Sequence, residues 1–119
     1  MIDRGEERAW GEIIAFISKK FGDGEEIDVD GILYLIGVRE LGEPPRQYKK
    51  DEKLDILHIA ICRVLSSLGY YKLKGKDEDG WPHYEKLEDL PPLKSGEQNL
   101  LMKMAIVKYF KEEQLLNLD

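Results

Sequence analysis

Asp55, His58 and Cys62 stand at i, i+3 and i+7 of one apolar run, a spacing that sets them in pairs on one face of a helix. A carboxylate, an imidazole and a thiol so arranged could ligate a metal or pass a proton. Di-iron bundles repeat a Glu-x-x-His motif on two helices and add glutamates from two more. Here the motif occurs once, as Asp-x-x-His, and the chain's only other histidine is His83. A zinc site from His58, Cys62 and His83 is geometrically conceivable, but no ligand motif stands behind it. With Leu54, Ile61 and Leu65 around it, His58 reads as a hydrogen-bonded histidine at the edge of a core. Cys62, the single cysteine, reads as a buried reduced thiol acting as a small hydrophobe.

The remaining chemistry-bearing patterns fail on spacing. Asp28-Val29-Asp30-Gly31 and Asp77-Glu78-Asp79-Gly80 suggest calcium loops. An EF-hand, however, needs a glutamate six residues after its glycine, and these positions hold Gly37 and Lys86. Capping and turn formation account for the aspartates. Ser18, Ser66, Ser67 and Ser95 lie in no nucleophile elbow, and Gly22-Asp23-Gly24 lacks the Gly-Lys-Ser/Thr of a phosphate loop. The expectation is no catalytic residue, no metal and no cofactor, although nothing selects or excludes an acid/base pair among the 24 carboxylates.

Aromatic side chains give a different signal. Tyr70, Tyr71, Trp81, His83 and Tyr84 fall within fifteen residues, and rings with polar tips suit an interface. The candidate binding residues are Tyr71, Trp81, His83 and Tyr84, with Phe110 of the last helix. The alternative is that some of these rings plug the end of a helical core. Both readings stand at this level.

The elements that must position them follow from periodicity and punctuation. A first helix is expected from Arg4 to Phe21, opened by an Asp3/Glu6 capping box, with Trp10, Ile13, Ile14, Ile17 and Phe21 on one stripe. A second, from Val29 to Leu41, is capped by Asp28 or Asp30 and closed by Gly42. It is apolar nearly all round and carries Gly37 in its middle, where close approach of another backbone would justify a glycine. The third, from Asp51 to Leu68, has a stripe of Leu54, Leu57, Ile61, Val64, Leu65 and Leu68, with Ile56, Ile59 and Ala60 behind it. Two short strands follow, Tyr70 to Leu73 and Trp81 to Leu87, joined by a polar loop. A Ser95/Gln98 capping box then opens a fourth helix from Gly96 to Glu113. The expected fold is mainly α, one domain over residues 1–119. Four helices are arrayed around the central third, with a β-hairpin between helices three and four.

The stretches Glu7 to Ile17 (ERAWGEIIAFI), Ile32 to Gly42 (ILYLIGVRELG), His58 to Ser66 (HIAICRVLS) and Gly69 to Glu85 resemble a family of small bacterial proteins of uncharacterised function. The segment DEDGWPHYE is the most distinctive part. The resemblance implies a bacterial cytoplasmic protein, and brings no activity, cofactor or catalytic residue with it.

Composition points the same way. The net charge is −6, and no segment carries the strong positive excess of a nucleic-acid or membrane-surface binder. The start, MIDRGEERAW, has no apolar signal core, and no run reaches the ~20 apolar residues of a membrane span. The cytoplasm is the expected location. The expected function is non-catalytic binding of another protein or of a second copy as a homodimer, without nucleic acid or membrane. Helices two and three, with Ile106 and Phe110 of the fourth, hold more apolar surface than four helices can enclose. Three helices followed by a hairpin also describe a winged-helix DNA binder, the alternative, with Arg46, Lys49, Lys50 and Lys53 as its basic candidates. Its recognition helix would have to present a polar face, and the third helix offers little of one. A small enzyme without recognisable motifs is a third reading.

Overall fold

A computed structural model describes residues 4–22, 25–44 and 46–116. Its elements are α1 (Arg4–Phe21), α2 (Val29–Leu41), α3 (Lys50–Ser66), β1 (Tyr71–Lys76), β2 (Pro82–Lys86) and α4 (Ser95–Glu112). The fold is mainly α, with one antiparallel hairpin between the third and fourth helices. Among the described residues no helix is long and apolar enough to cross a membrane.

Local chemistry sets the ends. The Asp28 side chain accepts from the Gly31 N–H at 2.8 Å, and Gly42 closes α2 in the left-handed region at φ 67°. At the start of α3 the Glu52 carboxylate accepts from the Lys49 N–H at 2.9 Å. The fourth helix corrects the expectation, since its cap pair is not Ser95/Gln98. The Lys94 N–H donates to Glu97 Oε1 at 3.1 Å, and Ser95 is already helical. The carboxylate half of a capping box is enough to start the helix one residue earlier. The expected Asp3/Glu6 box lies outside the described residues.

The core divides in two. The larger cluster takes Ile13 and Ile17 from α1, Ile32, Leu33 and Ile36 from α2, Ala60, Val64 and Leu65 from α3, and Ile106, Tyr109 and Phe110 from α4. The smaller joins Leu41, Tyr48, Ile56 and Ile59, with Tyr34, Val38, Trp81 and Tyr84 packed against it. α3 touches α2, α4 and both strands, which is why it is apolar on so many sides. Leu54 is nevertheless 62% exposed, because the buried arc at the start of α3 is the Ile56–Ile59 side that the hairpin covers. Phe21, expected on the α1 stripe, is 56% exposed, and Ala9 is buried in its place among the inward residues. Ile106 and Phe110 are both buried, so neither adds to a surplus apolar surface.

At Gly37 α2 lies directly on α3. A Cβ built there would stand 2.5 Å from both Ile56 Cγ2 and the Ile56 carbonyl oxygen. Close backbone approach therefore explains the glycine. The hairpin pairs Tyr71 with Lys86 and Leu73 with Tyr84, then shifts register before Gly75 pairs with His83. β1 runs to Lys76, longer than expected, since Gly75 absorbs the irregularity.

Candidate functional site: the cleft between helix α3 and the hairpin

The hairpin folds back along α3 and leaves a cleft of about 250 Å³ between them. One wall is helical: Asp55, His58, Ile59 and Cys62, the first, second and last set there by the i, i+3, i+7 spacing. The other wall is Asp77, Trp81, Pro82, His83 and Tyr84. The chain has two histidines and one cysteine, and all three line this cleft.

Asp77 organises the hairpin wall. One carboxylate oxygen accepts from the backbone N–H groups of Asp79 at 3.0 Å and Trp81 at 2.9 Å, closing an Asx-type turn. The other faces His83 Nε2 at 2.9 Å. That histidine contact, then the backbone donors, holds the Asp77 carboxyl below the usual carboxylate range. An ionised Asp77 accepts, so the Nε2–H of His83 donates. On the helix, Cys62 Sγ lies 3.6 Å from His58 Nε2. The thiol is 2% exposed, and burial pushes its pKa up. The protonated thiol is not poised as a thiolate nucleophile.

The residues expected to bind separate here. Trp81, His83 and Tyr84 share the cleft. The rings of Trp81 and Tyr84 also close the smaller core cluster, so they plug a core and line a surface at once. Tyr71 is half-buried against the larger cluster. Phe110 stands apart from this cleft: it is 3% exposed in the larger cluster, and lines a separate recess with Phe16, Leu35 and Leu115. Its i−4 neighbour Ile106 is buried too, and both face the other helices. His58, expected beside a core edge, is exposed and faces the hairpin.

Sequence reading missed a polar knot behind the cleft. The Tyr109 hydroxyl donates to Glu40 Oε2 at 2.6 Å and accepts from Arg39 at 2.7 Å. Arg63 Nε reaches Glu40 at 3.3 Å, while Arg39 and Arg63 meet Glu113 at 2.9 and 3.4 Å. Burial and Glu40 push the Tyr109 phenol far up. Residues so far apart in the chain carry no shared signal beyond the i, i+4 pair Tyr109 and Glu113. The knot ties α2, α3 and α4 together behind Tyr84, whose own pKa is pushed up to about 12 by burial and then by Glu40.

This gives a pH dependence. A phenol raised from 10.0 to about 12 stabilises the fold fully below pH 10, and that contribution is lost as pH rises toward 12. Urea midpoints measured from pH 8 to 12 should fall above pH 10. Tyr84→Phe should flatten part of that fall, and an unchanged slope would refute the assignment.

The chain matches no family model, and no curated protein or solved structure matches it. Fold and site define a mainly α protein of four helices and one hairpin, with an aromatic and imidazole-lined cleft as its candidate site.

Proposed function

We propose that this protein is a non-catalytic interaction module that docks a protein partner, most simply a second copy of itself, through the face formed by the hairpin and the exposed start of α3. The observation that carries it is the pair Trp81 and Tyr84, half-buried rings that line an open cleft beside apolar residues left in solvent. Leu54 lies one turn before His58 and is 62% exposed, and Leu73, the cross-strand partner of Tyr84, is 53% exposed. Aromatic anchors held by a rigid base and flanked by apolar contacts are the usual centre of a protein interface.

A protein partner suits this face better than duplex DNA, because the exposed start of α3 mixes Asp51, Asp55 and Leu54 with Lys50 and Lys53. The protonated Cys62 thiol favours binding over nucleophilic catalysis. We place the protein in the bacterial cytoplasm, on the resemblance of its helical and hairpin segments to small bacterial proteins.

Light scattering coupled to size exclusion tests the reading. At high micromolar concentration the expected mass is twice the chain's 13.8 kDa. Trp81→Ala should shift the dissociation constant upward by at least tenfold, the loss of about 1.4 kcal/mol from an aromatic anchor. A mass of 13.8 kDa throughout would remove the second copy as occupant. A dimer indifferent to Trp81→Ala would remove this face.

A further inference from the structure

We propose that the recess between α1, α2 and the end of α4 is a binding site for a single-chain aliphatic carboxylate, with Lys20 and Arg39 holding its head group. It is a second site, built from other residues than the α3–hairpin cleft.

The recess has a volume of about 310 Å³, at the lower end of the range for small-ligand pockets. Its walls include Phe16 and Phe21 of α1, Leu35 of α2 and Leu115 just beyond α4, and the buried Ile36 and Phe110 form its floor. Among the described residues that line it, only Lys20 and Arg39 are charged, and none has a hydroxyl, amide or carboxylate. A ligand held there therefore has polar atoms at one end only, since a buried polar group without a partner is costly. Phe21 is 56% exposed, and an alkyl chain laid beside it removes that apolar surface from water.

Charge fixes the sign of the head group. Arg39 and Arg63 share Glu40 and Glu113, so the polar knot balances its own cations with its own carboxylates. Arg39 meets Glu40, Tyr109 and Glu113 through Nη1, which leaves Nη2 and Nε as donors for another acceptor. Lys20 adds a charge outside that balance. Its Nζ lies 5.0 Å from the centroid of the Phe16 ring, and among the described residues it pairs with no carboxylate. An ammonium held over one wall of an apolar recess, with guanidinium donors on the same recess, suits a planar carboxylate and disfavours a neutral or cationic head.

Decanoate, kept monomeric and titrated into the full chain by calorimetry, is the probe. The expected result is saturation at one equivalent, with decanol binding about tenfold more weakly for want of the charge-assisted contacts. Lys20→Gln, at an exposed residue, should weaken decanoate about fivefold, the upper end for one exposed ion pair, and leave decanol unchanged. Phe21→Ala, also outside the core, should weaken both ligands alike. Far-ultraviolet circular dichroism controls for folding. Trp81→Ala should leave decanoate binding as it is, and the dimer mass is measured without decanoate, so either reading can fail without the other. No saturable heat with decanoate, equal affinity for decanoate and decanol, or indifference to both Lys20→Gln and Phe21→Ala overturns the proposal. Retention on anionic phospholipid vesicles without uptake of monomeric decanoate overturns it as well, and makes the recess a membrane contact.

Discussion

Gly37→Val should lower the unfolding free energy by about 3 kcal/mol, the upper part of the range for inserting bulk into a packed site. The first atom of any side chain there would meet the Ile56 carbonyl oxygen and Cγ2 at 2.5 Å. A flexible side-chain end could swing away from such a contact. The carbonyl belongs to the α3 backbone, so relief requires the two helices to part. Parting them opens the contact between Leu41, Ile56 and Ile59, on which Trp81 and Tyr84 are seated. Gly37→Ala gains up to ~1 kcal/mol of helix propensity and meets the same two atoms, so its net cost should be about 1–2 kcal/mol. Urea denaturation of both variants, compared at constant m-value, measures the difference. If the alanine variant equals or exceeds wild type in stability, the helices are not in backbone contact here. Loosening at Gly37 should also widen the cleft, and Gly37→Ala should weaken whatever the Trp81 face binds.

Glu40→Leu should cost about 3 kcal/mol, near the lower end of the range for removing one member of a buried ion pair, since its side chain is still 18% exposed. Glu40 accepts from the Tyr109 hydroxyl at 2.6 Å and pairs with Arg63 and Arg39, each at 3.3 Å. Its removal leaves two guanidinium groups sharing Glu113, and a buried phenol whose hydrogen has lost its acceptor. Leaving buried partners unmatched is what makes one-sided removal expensive. Tyr109→Phe should cost less, about 1–2 kcal/mol, because the charged groups keep one another. A double-mutant cycle on Glu40→Leu and Tyr109→Phe should show coupling of at least ~0.5 kcal/mol, as expected within one network. Purely additive losses would mean that Tyr109 and Glu40 act apart. Removing Glu40 should also let Tyr84 titrate lower, since that carboxylate is the second cause of its raised pKa. Absorbance titration of the tyrosines detects this, and it links the knot to the cleft wall.

The sequence by itself determined the elements and their order. The apolar stripe of α1, and the Asp28 cap and Gly42 stop around the apolar run of α2, place both helices with bounds that the structure reproduces. Those signals are local: they lie within a turn or two of the residues they govern, so a one-dimensional reading reaches them. The same reading singled out Gly37 and the hairpin aromatics, and set Asp55, His58 and Cys62 on one helix face.

Partnership was decided only in three dimensions. Nothing local says that Phe110 turns inward while Leu54 stays in water, because both are apolar residues on helices with apolar neighbours on several sides. Burial there depends on where the hairpin lies, and the hairpin covers the Ile56–Ile59 side of α3. Likewise, Arg39, Glu40, Arg63, Tyr109 and Glu113 come from three elements, and their charges read as ordinary solvated faces until packing brings them together. His83 is 21 residues from Cys62 in the chain, so the sequence could name the two together but held no spacing motif that would set them side by side. The return of the hairpin along α3 does so, as Trp81 and Tyr84 pack against the cluster of Leu41, Tyr48, Ile56 and Ile59. One apolar contact thus completes the second core and gathers the chain's two imidazoles and its thiol in a single cleft.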